Sequence, residues 1–279
     1  MVDVSVDSGA LRPGGDVHGE VRLRPGGAAA NAAVWASAAG ARVRLCGRVG
    51  DDMAGRLVRS ALEERGVDAA LATGPGVRTG TMLVVHEAGE RSMVADRGAN
   101  ATLSVDDLPG ELNAAAVLVS GYILLHPDSE AAAVAALERA RSSWVAVDAA
   151  SWPLLDRYGA ERFRKAAGPA NVLLANRLEA GALTGSEDPG EAGLALTEHF
   201  EIAVVKLGQL GALLARRGDP LLRQAAPPIR EVDPTGAGDA FDGVLLSSLA
   251  RGAPPDVALQ RACEAGSRAA ASADPWPTP

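Results

Sequence analysis

The chain has 279 residues and a formal net charge of −8, which argues against nonspecific binding to nucleic acid or to an anionic membrane surface. Its longest apolar run, residues 117–125, is interrupted by Ser120 and Gly121 and is too short to span a bilayer. The N-terminus has no apolar signal segment, and Cys46 and Cys263 have neither metal-site nor disulfide-framework spacing. We therefore expect a cytoplasmic protein with one large α/β domain or two small ones.

The first elements are two strands and a glycine-led helix. Residues 1–7 and 16–24 alternate apolar and polar side chains, which predicts half-buried strands. Gly27 then leads into an alanine-rich helix that ends near residue 40. Asn31 stands out in this helix because asparagine is a mediocre helix former, so it is either a solvent-facing residue or a ligand contact.

A strand–turn–helix unit and a hairpin follow. Residues 43–49 predict a strand, and residues 53–65 predict a helix that Gly66 ends. Residues 79–86 and 91–96 flank a glycine-containing loop, which is typical of a hairpin. Together with the strand at 16–24, this hairpin is expected to form a small antiparallel sheet.

From residue 114 onward, short apolar strands alternate with helical patterns. This alternation predicts βαβ units and a largely parallel sheet that is covered on both faces. The predicted strands are 117–120, 145–148, 171–175, 202–207, 212–216 and a short one near 221. The proline-rich tail at 271–279 is expected to fray.

A polar, glycine-broken turn at residues 233–241 runs directly into an amphipathic helix. Gly236 and Gly238 let the backbone turn without a side-chain clash, and the N–H groups that open the helix form a ready anion site. Asp239 lies inside this turn. It is either a simple helix N-cap or a base held beside a phosphate during phosphoryl transfer.

The stretch 233–241 closely resembles the C-terminal signature of the ribokinase-like sugar kinases, the phosphofructokinase-B family. The resemblance implies a single domain over 1–279, built as a three-layer α/β sandwich with a small β lid from about 16–24 and 79–96. It implies that Asp239 is the general base and that the N–H groups of Gly236, Ala237 and Gly238 hold the transferred phosphate.

The resemblance extends to the N-terminal signature and to two later segments. It implies that Asp3, Gly27 and Asn31 contact the sugar, and Arg97 is a further substrate-binding candidate. It also implies a nucleotide site for ATP, whose candidate residues are Asn176, Lys206, Gly208, Gly211 and Thr235. Glu179, in an Asn-x-x-Glu segment that alone would be only a capping box, is expected to help hold Mg²⁺ through water.

Two departures from the family pattern carry expectations of their own. Relatives normally begin several residues before the position of Asp3, which predicts either a different start site or a shortened strand that weakens the sugar pocket. Asp233 and Thr235 match positions near a monovalent-cation site that relatives close with residues beyond the position of Gly266. The tail here differs, so K⁺ is possible at Asp233 but weak or absent K⁺ activation is expected.

The sequence lacks the motifs of two other nucleotide-binding sites. No Gly-Lys dipeptide occurs, so a Walker P-loop is excluded, and Phe241 stands where a dinucleotide fingerprint needs its third glycine. Two alternatives on the same fold stay open: a pyridoxal- or nucleoside-type kinase, and a catalytically silent sugar-binding protein. In the family the lid strands often mediate dimers, so a homodimer is expected.

Overall fold

The computed structural model describes residues 1–8, 14–87 and 90–278, and the elements largely follow the alternation that the sequence predicts. The strands in these residues are β1 (Val2–Ser8), β2 (Gly19–Pro25), β3 (Val43–Gly50), β4 (Val67–Gly74), β5 (Thr81–Glu87), β6 (Glu90–Asp96), β7 (Leu112–Asn113), β8 (Ala116–Ser120), β9 (Ala140–Arg141), β10 (Trp144–Asp148), β11 (Val172–Asn176), β12 (Ile202–Lys206), β13 (Ala212–Arg216) and β14 (Leu222–Gln224). The helices are α1 (Ala28–Ala38), α2 (Met53–Glu64), α3 (Gly121–Leu124), α4 (Glu130–Arg139), α5 (Trp152–Tyr158), α6 (Ala160–Ala166), α7 (Arg177–Thr184), α8 (Pro189–Leu196), α9 (Ala237–Ala250) and α10 (Pro255–Ala270). None of these helices is both long and apolar enough to cross a membrane.

The largest sheet has the strand order β14-β13-β12-β11-β10-β8, in which β8, β10, β11 and β12 are parallel. Along β11, Leu173 and Ala175 pack into one core, whereas Val172 and Leu174 pack into another. The strand reads as a continuous apolar run because both of its faces are covered. Helices α3 to α8 cover one face, and α9 and α10 cover the other, which gives the expected three layers.

Strands β3 and β4 form a separate parallel pair. Val49, Leu62 and Val67 pack there with residues of α1. The sequence reasoning missed β4. Its burial alternates from Val67 through Ala70, but alanine is depleted in strands and obscures the apolar–polar pattern.

The expected lid forms from β2 and the β5–β6 hairpin, but its sheet is mixed and not antiparallel. β1 lies between β2 and β5 in the order β2-β1-β5-β6. Val4 pairs antiparallel with Leu23 and parallel with Leu83, so the N-terminal strand joins the two parts of the lid. Residues 88 and 89 of the hairpin loop lie outside the described residues.

The expectation that the tail frays is wrong for residues 271–278. Trp276 is only 6 % exposed and packs with Val2 and Val34. The indole N–H of Trp35 donates to the carbonyl oxygen of Pro275 at 2.8 Å. Burial of an indole stabilises this segment although its prolines form no helix or strand.

Candidate active site

The site is organised by the close crossing of α1 and α9. A Cβ added at Gly243 would overlap the carbonyl oxygen of Ala32, so only glycine allows the two helices to approach this closely. The approach brings the first turns of both helices together. There, Nδ2 of Asn31 donates to Oδ2 of Asp239 at 2.8 Å.

The glycine turn forms the start of α9. Gly236 is the N-cap and has left-handed backbone angles, with φ 78° and ψ −2°. Asp239 is therefore not the N-cap that the sequence left open; it lies in the first helical turn, and its carboxylate bonds to another helix. The Ala237 N–H donates to the Pro234 carbonyl at 3.2 Å. As N–H groups of the first turn, those of Gly238 and Asp239 have no carbonyl of a preceding helical turn to pair with.

The Asp239 carboxyl has a pKa raised from 3.8 to about 6. Burial is the main cause, and the carboxylates of Asp148 and Asp3 add to it. The Asn31 hydrogen bond and the Lys206 ammonium act in the opposite direction because both favour the ionised form. At neutral pH this carboxyl is mostly ionised yet basic enough to take a proton, which suits a general base.

Lys206 lies beneath the glycine turn, at the end of β12. A Cβ added at Gly238 would be 3.6 Å from its Nζ. Nζ contacts Asp242 at 2.8 and 3.0 Å and Asp148 at 3.2 Å, and all three side chains are largely buried. Burial disfavours the ammonium, but Asp242 and Asp148 hold the pKa of Lys206 above its ordinary value. Burial also disfavours the charged form of Asp242, and it raises the pKa of that carboxyl.

Sequence reasoning missed Asp148 and Asp242. A signal existed for each: Asp148 ends the buried strand β10, and polar side chains at the carboxyl ends of parallel strands often line a site. Asp242 follows Asp239 by three residues, so the two lie on neighbouring turns of one helix.

The predicted sugar-contacting residues lie at the lid end of this site. The Asp3 carboxylate lies against Gly26 so closely that a side chain at position 26 would overlap it. Burial raises the pKa of Asp3, against the opposing effects of the N-terminal amino group and Arg24. Gly27 precedes α1 with φ 104°, and its carbonyl accepts the Asn31 N–H at 2.9 Å. Asp3, Gly27, Asn31 and Asp239 are thus brought to one place.

Arg97 is anchored elsewhere, on α3 and α4. Its Nη1 donates to the carbonyl oxygen of Tyr122 at 2.7 Å, and its Nη2 donates to Oγ of Ser129 at 3.4 Å. Tyr122, which the sequence reasoning also missed, lies near the site: its side chain is 43 % exposed, and partial burial first and then the charges of Asp239 and Asp148 raise its pKa to about 12.

Asn176 and Glu179 form the capping box of α7. Asn176 Oδ1 accepts from the backbone of Glu179 at 3.0 Å, and the Glu179 carboxylate accepts the backbone N–H of Asn176 at 2.7 Å and its Nδ2 at 2.6 Å. Burial and then the Asp148 carboxylate raise the pKa of Glu179 to about 7. Nearby Lys206 opposes this rise, so Glu179 belongs to the same charged cluster.

The remaining predicted residues form two turns. Gly208 and Gly211 shape the turn from β12 to β13, where Gly211 has φ 95° and a side chain would overlap the carbonyl oxygen of Gln224. The Thr235 N–H donates to Oδ1 of Asp233 at 2.9 Å. Across the described residues, no cluster of three His, Cys, Asp or Glu side chains is arranged to hold a metal ion.

A larger open cleft of about 370 Å³ lies away from Asp239. It is lined by Asp52, Arg78 and Thr79 and by lid residues that include Leu83 and Val94. It contains none of the predicted site residues, and the carboxylate of Asp52 is already bound by Thr79 and Gly55. The chemistry therefore points to the smaller cavity between Asp148, Asp239 and Asp242.

Comparison with known proteins identifies the family and the fold. The model of the pfkB family carbohydrate kinases matches residues 1–275. A fructokinase from Klebsiella pneumoniae is 31% identical over 277 residues, which span 90% of this chain and 87% of the relative. An aminoimidazole riboside kinase from Salmonella typhimurium is 30% identical over 238 residues, which span 81% of this chain and 74% of the relative. The crystal structure of aminoimidazole riboside kinase from Salmonella enterica, complexed with aminoimidazole riboside and an ATP analog, has a TM-score of 0.80 at 24% identity, with 97% of this chain and 92% of that chain covered. The expected ribokinase-like α/β fold is confirmed.

Proposed function

Because the chain belongs to the pfkB family of carbohydrate kinases and is a phosphotransferase, we propose that it transfers the γ-phosphate of ATP to a hydroxyl of a monosaccharide or related small alcohol. The observation that carries the proposal is the Asp239 carboxylate, held by Asn31 at the glycine turn that opens α9. A base and a set of anion-binding N–H groups at one point are what phosphoryl transfer to an alcohol requires.

In the proposed reaction, the acceptor hydroxyl lies between Asp239 and the glycine turn. Asp239 takes the hydroxyl proton while the hydroxyl oxygen bonds to the γ-phosphorus, and the bond from that phosphorus to the bridging oxygen of ADP breaks. The N–H groups of Gly236, Ala237 and Gly238 and the positive end of α9 stabilise the charge on the phosphoryl oxygens. Ala237 would exchange its 3.2 Å bond to Pro234 for one to the phosphate.

On the acceptor side, Asp3, Gly27 and Asn31 would hold the other hydroxyls. The half-buried, partly desolvated carboxylate of Asp3 suits a bidentate contact to neighbouring hydroxyl groups. Arg97 would reach the substrate from beside Tyr122, whose carbonyl oxygen accepts from its Nη1 at 2.7 Å.

On the nucleotide side, Lys206, Asn176, Thr235 and the turn at Gly208 and Gly211 would contact ATP. Burial and the Asp148 carboxylate raise the pKa of Glu179. A bound cation would lower this pKa again because it favours the ionised carboxylate, so the residues fit Mg²⁺. Both Glu179 oxygens already accept from Asn176, which suits the outer-shell role through water. When bound, Mg²⁺ supplies charge neutralisation on the nucleotide phosphates. For K⁺, Asp233 is the candidate ligand, and its Oδ1 also accepts from the Thr235 N–H at 2.9 Å; weak or absent K⁺ activation stays the prediction.

Two further properties complete the proposal. The lid carries an apolar face whose members Val21, Leu23 and Val94 are 58 %, 64 % and 64 % exposed, and we infer a homodimer that covers this face.

The free thiols of Cys46 and Cys263 fit the reducing cytoplasm as the compartment.

The second candidate is a nucleoside-type kinase, which the likeness to the aminoimidazole riboside kinase favours. The acceptor in both candidates is a hydroxyl, so the same base and turn serve either. A pyridoxal kinase and a silent sugar-binding protein remain to be tested. A thermal-shift panel of sugars, nucleosides and pyridoxal, each with and without ATP–Mg²⁺, followed by phosphate-transfer assays of the stabilising compounds, separates all four.

The decisive test of mechanism is Asp239→Asn. The base is lost while the shape and the glycine turn are kept, so turnover should fall roughly 10²- to 10⁴-fold with ligand-induced thermal shifts nearly intact. Asp256→Asn is the matched control, because Asp256 lies in the first turn of the neighbouring α10 and is exposed. Near-normal turnover in Asp239→Asn would reject the proposed mechanism.

A further inference from the structure

The C-terminal tail reaches the candidate active site through one side chain. The indole N–H of Trp276 donates to Oδ1 of Asn31 at 2.8 Å, and both side chains are buried. Asn31 in turn donates to Asp239. Trp276, Asn31 and Asp239 therefore form one continuous chain of hydrogen bonds from the tail to the carboxylate.

The tail is held in place independently of this chain. Trp35 donates to the Pro275 carbonyl at 2.8 Å, and the Trp276 N–H donates to Oδ1 of Asp274 at 3.0 Å. The guanidinium of Arg65 lies 5.6 Å from the centre of the Trp276 ring. These contacts fix the indole, so its N–H presents a donor at a defined point beside α1.

The chemistry of the three groups sets the orientation of the Asn31 amide. An indole N–H can only donate, and an ionised carboxylate can only accept. With Oδ1 toward Trp276 and Nδ2 toward Asp239, both contacts are hydrogen bonds. The flipped amide would place N–H against N–H at Trp276 and oxygen against oxygen at Asp239, so it loses two bonds and gains two repulsions.

We propose that Trp276 is a positioning residue for phosphoryl transfer: its indole N–H locks the Asn31 amide so that the amide donates to, orients and supports the ionised carboxylate of Asp239. The inference rests on the proposed role of Asp239 as the base. The lock matters because Asp239 is surrounded mostly by groups that oppose its ionisation. The titratable groups around it are Asp3 on β1, Tyr122 on α3, Asp148 on β10, Lys206 on β12 and Asp242 on α9. Lys206 is the cation of this set, and it is already paired with Asp148 and Asp242.

The test is Trp276→Phe, which keeps an aromatic ring in the buried site and removes the donor. Without the lock, the amide can flip, the support of the carboxylate weakens, and the pKa of Asp239 rises. The acidic limb of the turnover–pH profile should therefore move to higher pH, with turnover reduced about fivefold at pH 6 if the pKa of Asp239 rises by about one unit from its value of about 6. Turnover should recover toward the wild-type value at pH 8.5, and the KM for ATP should stay unchanged.

The matched control is Trp35→Phe. It is the same substitution against the same tail, and it removes the donor to Pro275 without touching Asn31. It should lower the melting temperature while leaving the acidic limb in place. If Trp276→Phe fails to fold, benzothienylalanine at position 276 replaces only the N–H by sulfur and gives the same comparison.

Three outcomes separate the possibilities. A shifted limb in Trp276→Phe but not in Trp35→Phe supports the proposal. Equal profiles in the wild type and Trp276→Phe, with Asp239→Asn inactive, overturn the role of Trp276 and leave the base intact. Near-normal turnover in Asp239→Asn overturns the proposed mechanism and, with it, this inference.

Discussion

The Lys206 ammonium contacts both carboxylate oxygens of Asp242, at 2.8 and 3.0 Å, directly beneath the glycine turn. Asp148 shares the same ammonium at 3.2 Å. One buried cation therefore offsets two buried anions. Because each unpaired charge is expensive to bury, this cluster couples the stability of the fold to the geometry of the site.

Lys206→Met should lower the free energy of unfolding by about 3–5 kcal/mol, because it leaves the Asp148 and Asp242 carboxylates without their cation. Urea denaturation measures the loss. Lys165→Met is the control, since Lys165 is exposed and its replacement should stay within about 0.5 kcal/mol. Adding Asp242→Asn to Lys206→Met should restore part of the stability, and no recovery would contradict a charge-based cause.

The catalytic activity should fall in acid as Asp239 takes up a proton. Its pKa of about 6 in the ligand-free protein predicts that kcat/KM for the acceptor falls about tenfold per pH unit well below pH 6. The neighbouring Glu179 has a pKa of about 7, so its titration must be distinguished from that of Asp239. The acidic limb should therefore persist near pH 6 in Glu179→Gln, and its disappearance in that variant would assign the limb to Glu179.

Asp239→Asn should also stabilise the fold at alkaline pH. The folded-state pKa of Asp239 lies above its ordinary value of 3.8, so the ionised carboxylate destabilises the folded state above about pH 6. That penalty is relieved as the pH falls through the folded pKa and is absent below the unfolded one. The variant should gain on the order of 1 kcal/mol at pH 8 and nothing at pH 3.5. Melting curves at both pH values check the sign; a loss of stability at pH 8 would instead mean that the ionised carboxylate stabilises the first turn of α9.

The residues in signature turns could be placed from the sequence because their chemistry is local. The stretch 233–241 predicts a glycine turn and a helix start and contains a carboxylate within nine positions. In the structure, Asp239 lies in the first turn of α9. The strands β10, β11 and β12 were predicted for a similar reason, since each is a short apolar run that both faces of the sheet bury.

The partners of those residues could not be placed, because they depend on which elements pack together. Asp148 and Asp242 approach Lys206 from β10 and α9 only once the sheet and its helix layer have formed. Trp276 is a still clearer case. The prolines around it predicted a frayed tail, whereas its ring is buried against β1 and α1 and its N–H bonds to Asn31.

Leu23→Lys should separate the proposed homodimer, because a charge on the exposed apolar face of the lid would be buried at the interface. Sedimentation velocity should show a dimer for the wild type and a monomer for the variant. Met53→Lys is the control, since Met53 is 79 % exposed on α2 and lies outside the lid. A wild-type protein that stays monomeric at tens of micromolar would rule out this dimer.

Gly243→Ala should lower turnover from a position that the substrate does not reach. The added Cβ overlaps the carbonyl oxygen of Ala32, so α1 and α9 must separate, and the Asn31–Asp239 bond lies one turn away at the same crossing. Overpacking of this kind costs about 1–3 kcal/mol, which exceeds the gain of up to about 1 kcal/mol from helix propensity. Gly193→Ala in α8 is the matched control, because its Cβ would meet Val205 at an ordinary 3.4 Å and the variant should gain stability. The expected result is a lower melting temperature and a lower turnover for Gly243→Ala alone. Unchanged turnover in a destabilised Gly243→Ala would mean that the helix crossing supports the fold without setting the geometry of the base.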